Sequence, residues 1–444
     1  MSLLTALTSA TGALKVLERG LDVSQANVSN VNSPGFARQR LTITSRNEGI
    51  IAGPIFSARD NYSESAVWNR QSGLGKANQG LESLGQLQQV LPIGEGAGIA
   101  ASITGLFQSF SQLAVSPNST TSRQVVLDRA GALASTINSA SKGLGTAAQS
   151  AEREVGSNIT KINSLLSEIA QVNKASRENF NSREQGGVEA RSYKALEELS
   201  EYTNFTALTQ TDGTISVFLA NQTLAVVGDR SLPLKAVVAG NQTQIQDSTG
   251  KDITTQFTTG RLGGLIDFRN SAYPKYSGAL DTLATTLADR INTVLNGGLD
   301  QNGNPPAANL FQYDTVAGAA ATFSVNGLKT QDLAIASAGL PGGSGNAYAL
   351  TDLSKTGQIN GLRFSEFYGS IAAGVGRDIS FSQQEQTTQT QLLQQARTIR
   401  QDNAGVSLDQ EAAYIVQIQR GYQAAAKLIS VITQLTDVTL SLLK

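Results

Sequence analysis

The sequence predicts a mainly α protein with a small β insertion: a long antiparallel helical rod, made of terminal coiled-coil helices plus a helical bundle, bearing a β-rich outer domain. Three observations predict it. Apolar residues at both ends recur at alternating steps of three and four, the spacing of a coiled-coil seam. No proline stands between Pro117 and Pro233, which leaves room for one very long helix. Alternation with a period of two begins only near residue 205, so strands are confined to a late insertion.

At the N-terminus Leu3, Leu7, Ala10, Leu14, Leu17 and Leu21 form the seam, and Ser24, Val28 and Val31 continue its row. Pro34 ends the helix, because the residue before a proline is pushed out of the α region, and Gly35 supplies a turn. Leu74, Ala77, Leu81, Leu84 and Leu91 hold a seven-residue pattern, and Ile99 through Leu113 form a further apolar face. Within the proline-free span Val155, Ile159, Ile162, Leu166 and Ile169 step by four and three. A helix over 120–175 would be roughly 80 Å long at 1.5 Å per residue.

Around Asp212-Gly213, a hairpin turn signal, the stretch from Phe205 alternates, and strand-like runs continue to about Phe257. Helix resumes at Leu265, with Leu280, Leu283, Leu287, Ile291 and Leu295 as its face. The region 297–350 is rich in Gly, Ala and Pro and reads as loops with short strands. Gln383 to Arg400 is a polar helix leading into the last seam, Ile415, Ile418, Tyr422, Ala425, Ile429 and Ile432, which Leu435, Val438 and Leu442 prolong. The two terminal helices can pair only if the chain runs out and returns. The predicted units are 1–45 with 401–444 as a terminal coiled-coil assembly domain, and 46–204 with 260–297 and 351–400 as the helical body. Residues 205–259 form the small β-rich outer domain, which 298–350 could join.

Composition bounds the chemistry. Of 444 residues 16% are charged, against roughly 25% in an average globular protein, and the net charge is −1, so no basic field invites nucleic acid. There is no Cys and no His, which excludes disulfides, cysteine nucleophiles, Ser-His-Asp chemistry and histidine-containing zinc sites. The single Trp68 and 6% aromatics leave few stacking platforms for sugars or bases. The first twenty residues lack the charged start and continuous apolar core of a cleaved signal, and no run approaches a membrane span. Neither a metal nor a cofactor is expected.

Two constellations have bland readings. Asp300-Gln301-Asn302-Gly303-Asn304 alternates oxygen ligands but lacks the glutamate that closes an EF-hand, so a solvated loop is the better reading. Glu197, Glu198 and Glu201, with Glu152 and Glu154, could supply a carboxylate pair, but such clusters on helices usually belong to a solvated face. Arg38, Arg40 and Arg46 read as subunit contacts rather than a nucleic-acid patch.

The motifs point elsewhere. Ala26-Asn27-Val28-Ser29-Asn30-Val31-Asn32-Ser33-Pro34-Gly35-Phe36, with Arg38 close behind, resembles the signature of flagellar axial proteins. An ordinary helix stop explains Pro34-Gly35 but not the asparagine spacing. Gly405-Val406-Ser407-Leu408-Asp409-Gln410-Glu411 resembles the Gly-Val-Ser-Leu-Asp-Glu-Glu motif of the hook-associated protein 1 (FlgK) family, the hook–filament junction proteins, with Gln410 replacing the middle acid. Ser407 would also cap a helix there. The segment from Gln419 through Tyr422 to Ala426 resembles the motif shared by axial proteins, and Gly260 to Arg269 resembles the family's Leu-Gly-Gly-Leu-x-x-Phe-Arg block. The 292–297 segment lacks the histidine that the family often carries.

The resemblance implies a non-enzymatic structural subunit of the flagellum at the hook–filament junction, outside the cell. It implies export through the flagellar type III apparatus without a cleaved signal, and polymerisation at the tip into a ring. It further implies the hook protein and hook-associated protein 3 as neighbours, and a cytosolic chaperone on the C-terminal helix. The rival readings are another axial protein of hook or rod, and a type III-secreted effector or adhesin.

Overall fold

The computed structural model describes residues 3–46, 49–92, 98–178, 185–220, 222–240 and 242–441. The chain leaves through helix α1 (Leu3–Ser29) and a hairpin of β1 (Gln39–Arg46) and β2 (Gly49–Ser57). It continues through α2 (Asn61–Val90), α3 (Gly98–Val115), α4 (Thr120–Glu178) and α5 (Gln185–Tyr202). Six strands follow: β3 (Phe205–Thr209), β4 (Ile215–Leu219), β5 (Thr223–Val227), β6 (Arg230–Ser231), β7 (Lys235–Ala239) and β8 (Gln242–Gln246). Helix α6 (Gly260–Asp267) runs through a π-helical turn at Phe268–Ala272 into α7 (Tyr273–Asn296). Short elements occupy the next stretch: β9 (Gly298–Leu299), β10 (Phe311–Gln312), α8 (Ala319–Thr322), β11 (Ser324–Val325), β12 (Ala336–Ser337) and α9 (Gly345–Leu353). The chain returns through α10 (Phe364–Ala404) and α11 (Leu408–Ser441). The fold is mainly α with small antiparallel sheets.

The spine is α4, whose 59 residues correspond to roughly 90 Å at 1.5 Å per residue. Its heptad face, including Leu133, Ile137, Leu144, Val155, Ile162, Leu166 and Ile169, is wholly buried. Burying a large aliphatic side chain is worth about 1.5–3 kcal/mol, so this face is a main source of order along the rod. Successive neighbours cover it: α3 on the N-terminal half, α2 near the middle, and α5 and the β insertion on the C-terminal half. Helix α2 begins where Asp60 accepts hydrogen bonds from the Ser63 and Tyr62 amides, the ordinary side-chain cap.

The β insertion is a four-stranded antiparallel sheet in the order β3-β4-β5-β6, with β7-β8 as a separate ribbon. The Asp212-Gly213 turn forms as its residues dictate: Gly213 takes φ +77°, and Asp212 Oδ1 accepts from the Thr214 amide and hydroxyl at 3.1 and 2.6 Å. Those bonds, the hydroxyl first, hold the Asp212 carboxyl down at about 2.

One device recurs at five places where a helical segment meets extended chain. An asparagine amide imitates a strand edge, its Oδ1 accepting from a backbone N–H and its Nδ2 donating to the same residue's carbonyl. Asn27 holds Gln39 in this way, Asn163 holds Leu234, Asn173 holds Ile215, Asn270 holds Thr243 and Asn292 holds Phe311. The ends and edges of these strands expose unpaired backbone groups, which are costly when buried. The asparagines satisfy them without a further strand, and Asn292 does so for Phe311.

The structure departs from the sequence pattern in two places. Helix resumes at Gly260 rather than Leu265. The Gly260–Leu265 block is a packing motif: a Cβ on Gly264 would stand 3.0 Å from the Lys76 carbonyl oxygen and from Gln79 Cβ, so glycine lets α6 lie close against α2. The β1–β2 hairpin was not foreseen. Leu41 and Ile43 alternate, but Ile50-Ile51 run together and a bulge between Leu41 and Ile43 breaks the register, which hides the period of two. The carboxylates Glu197, Glu198, Glu201 and Glu154 do not converge on a site: they bond to Arg400, Lys161, Arg261 and Gln79 respectively.

Candidate assembly interface

The two ends pair antiparallel. A Cβ on Gly20 would meet Ile418 Cδ1 at 3.2 Å, and one on Gly421 would meet Leu17 Cδ2 at 3.2 Å, so glycines let α1 and α11 approach closely. Ala10, Ser24, Ile418, Ala425 and Ile432 are buried along this seam, and Leu7, Leu14, Leu17, Leu21, Val28, Ile415 and Ile429 are half-buried. Leu3 opens α1, but its side chain lies outside the described residues, as does Leu442.

Two predicted seam members are placed differently. Val31 falls beyond the end of α1, which stops at Ser29. Tyr422 is 50% exposed, because Gly421, not Tyr422, sits against Leu17. Helix α1 is also held on a second side by the hairpin, where Ile50 O stands 3.1 Å from the Cβ position of Gly12.

Beyond α1 the Asn-rich motif folds into a fixed corner. Asn27 clamps Gln39, Asn30 Nδ2 donates to the Ala26 carbonyl at 2.9 Å, and Ser33 Oγ donates to Asn30 Oδ1 at 3.1 Å. Asn32 and Pro34 are exposed and Ala26 is too, whereas Phe36 is half-buried. Gly35 has φ +75°, and a Cβ there would stand 2.4 Å from the Ala190 carbonyl oxygen and 2.9 Å from the Lys194 amide. Only glycine fits this corner, because the left-handed conformation and the contact with α5 both exclude a side chain.

The C-terminal motif closes on that corner. Gly405 ends α10, with its amide on the Gln401 carbonyl at 2.8 Å. Val406 follows in the half-buried link and Ser407 caps α11, taking the Gln410 amide on Oγ at 3.4 Å and the Glu411 amide on its carbonyl. Leu408 and Asp409 are exposed. Glu411 is only 1% exposed. Its Oε1 accepts from Arg38 Nε at 2.7 Å, and its Oε2 accepts a short hydrogen bond from Ser24 Oγ. Arg38 also donates to Gln410 Oε1 at 2.9 Å, and its amide bonds the Ala404 carbonyl. Arg38 is thus engaged within the chain rather than presented as a contact to another subunit.

Beneath the corner lies an ion network that no spacing in the sequence announces. Arg59 bonds Glu64 at 2.5 Å, Glu189 at 3.0 Å and the Gly35 carbonyl at 2.6 Å, with its guanidinium 3.7 Å from the Tyr193 ring centre. Arg400 reaches Glu64 and Glu197 at 3.3 and 2.8 Å, and Arg397 reaches Glu197 at 3.0 Å. Burial alone would raise the Glu197 carboxyl, but the hydrogen bonds and charges of Arg400 and Arg397 hold it below its ordinary value. A cleft of about 390 Å³ opens here, between residues 31–37 and the end of α10. Among the described residues no cluster of acids could hold a metal ion, and no helix is long and apolar enough to cross a membrane. Asp300 satisfies its own loop, accepting from the Asn302 and Asn304 amides.

Comparison with known proteins falls on the same architecture. Residues 84–311 match the model of the flagellar hook-associated protein FlgK helical domain. The chain is 24% identical to flagellar hook-associated protein 1 of Bacillus subtilis (strain 168), covering 97% of this chain and 96% of that one. It is 21% identical to the protein of the same name from Salmonella typhimurium, over 67% of this chain and 58% of the other. The structure of the flagellar hook junction protein FlgK from Burkholderia pseudomallei superposes with a TM-score of 0.69 at 17% identity, over 77% of this chain and 100% of that one.

Proposed function

From the premise that this chain belongs to the flagellar hook-associated protein FlgK family, we propose that it is a non-enzymatic structural subunit joining the flagellar hook to the filament. The observation that carries the proposal is the meeting of the two end motifs at Ser24, Arg38 and Glu411. The residues that mark the family at either end complete one another only when the chain has returned on itself.

In this reading the termini are the assembly domain, the bundle around α4 is the helical body, and the β insertion is the outer surface. The chain is exported unfolded through the flagellar type III apparatus without a cleaved signal, and it folds at the tip. The absence of Cys and an end seam stabilised mainly by pairing suit such a route, because an isolated amphipathic helix is marginal in water. Self-association there builds a ring, with the hook protein on one side and hook-associated protein 3 on the other. Before export the C-terminal segment, about Leu408 to Leu443, binds a cytosolic chaperone.

The test is a strain lacking the gene, complemented by the full chain or by chains without residues 1–30 or 408–444. The expected result is a null strain that builds hooks and sheds flagellin, with filaments restored by the full chain alone. Normal filaments in the null strain would overturn the junction role and favour a secreted effector.

A further inference from the structure

Helix α11 carries two apolar stripes, and α1 covers only one of them. Ile418, Ala425 and Ile432 face α1. Leu428, Val431, Leu435 and Val438 step by three, four and three, yet they are 52, 44, 53 and 56% exposed. An apolar row of that regularity on a water-facing helix marks an interaction surface. The pairing of Leu17 with Gly421 and Gly20 with Ile418 sets the register. Residues 428–438 therefore lie level with the first turns of α1, past Gly12 where the hairpin's Ile50 docks.

The terminal region has a second unpartnered apolar patch on that hairpin. Ile51 is 41% and Phe56 50% exposed, and their cross-strand partners Thr44 and Arg40 place both on one face, because side chains alternate along a strand. The strands β1 and β2 carry Arg40 and Arg46 and no acid, whereas Asp437 is the one charge between Leu428 and Ser441. Arg40 is paired across the hairpin with Phe56, so charge and apolar surface are presented together. Helix α1 is a poor alternative occupant, because its exposed positions are mostly polar: Thr8, Thr11, Lys15, Glu18 and Gln25.

We propose that the open stripe of α11 in one copy seats on the β1–β2 hairpin of the next copy, with Asp437 drawn toward Arg40. The proposal rests on the self-association reading above and names its surface. A contact between two different patches is heterologous, so it continues from copy to copy until the assembly closes. Stripe-to-stripe pairing of two α11 helices would stop at a dimer.

Because the chain has no Cys, engineered cysteines report the contact cleanly. Two differently tagged full-length chains, one Ile51→Cys and the other Leu435→Cys, are co-expressed in place of the native gene. Isolated flagella are then oxidised with copper phenanthroline. The expected product is a disulfide dimer bearing both tags, at least tenfold more abundant than with Lys15→Cys in place of Ile51→Cys. Phe56→Cys with Val438→Cys repeats the test at a second point. If the chains are present in the flagella but both pairs give no two-tag dimer, or only Leu435→Cys chains joined to each other, the surface is wrong and self-association stands. If the chains are absent from the flagella, the self-association reading falls and takes the surface with it.

Discussion

Arg38 and Glu411, 373 positions apart in the chain, meet at 2.7 Å in a bond that Ser24 completes from α1. The carboxylate is buried, so its charge is tolerable only while both donors remain. A buried charge left without its partner costs on the order of 3–5 kcal/mol.

Arg38→Ala should therefore loosen α11 more than Glu411→Gln, which keeps an acceptor for Arg38, turns an amide donor toward the Ser24 hydroxyl and removes the charge. Hydrogen exchange along α11 checks it. The expectation is exchange faster by a hundredfold or more in Arg38→Ala and by about tenfold in Glu411→Gln, about 1.4 kcal/mol per factor of ten. Equal protection in both variants and the parent would sink the view that this bond holds the ends together.

Gly35→Ala should destabilise through two additive causes: the positive φ, at about 1–2 kcal/mol, and the collision with Ala190 and Lys194. Gly250→Ala isolates the first cause, because Gly250 has φ +86° with open space around its Cβ position. The expected order in urea midpoints is Gly35→Ala well below Gly250→Ala, with the latter slightly below the parent. Equal midpoints would show that the corner yields freely.

Acid should weaken the same joint. The Glu197 carboxyl is held below its ordinary value by Arg400 and Arg397, so folding binds fewer protons there than the unfolded chain does. Its contribution is fully present above the unfolded value of about 4.5 and is lost as pH falls through the lower folded value. Glu197→Gln should thus differ from the parent in urea midpoint at pH 7 and converge with it toward pH 3. A constant difference down to pH 3 would contradict this assignment.

What the sequence revealed and what it hid separate along one physical line. The seams at Leu7–Leu21 and Ile415–Ile432, the long α4 face and the Asp212-Gly213 turn depend on local periodicity or on one turn's dihedrals, so neighbours in sequence report them. Tyr422 was misplaced because a heptad allows either of two adjacent rows, and a close approach at Gly421 selected the other. The network of Arg59, Glu64, Glu197 and Arg400 joins three distant segments with no repeated spacing, so only the folded chain brings it to light. The clustered asparagines were visible, but their task was not, since the clamp at Asn27 needs the strand that begins at Gln39.

That clamp yields the sharpest test of how the short strands are held. Asn173 is 1% exposed, with Oδ1 taking the Ile215 amide at 2.8 Å and Nδ2 donating to the Ile215 and Gly228 carbonyls at 2.9 and 2.6 Å. Asn173→Asp keeps the shape but points a carboxylate oxygen at two carbonyl oxygens. The loss at pH 7 should be on the order of 3 kcal/mol, more than for Asn173→Ala, because a buried charge is added to the lost bonds. Burial and the facing carbonyls would raise the new carboxyl's pKa in the folded state, so the folded chain takes up a proton that the unfolded chain releases. Its penalty relative to the parent must then shrink as pH falls from 7 to 5, since a protonated acid can donate to one carbonyl again. Asn173→Ala should show no such relief. Urea midpoints of the three proteins at both pH values decide it, and parallel behaviour of Asp and Ala would mean that the donor side of the clamp contributes little.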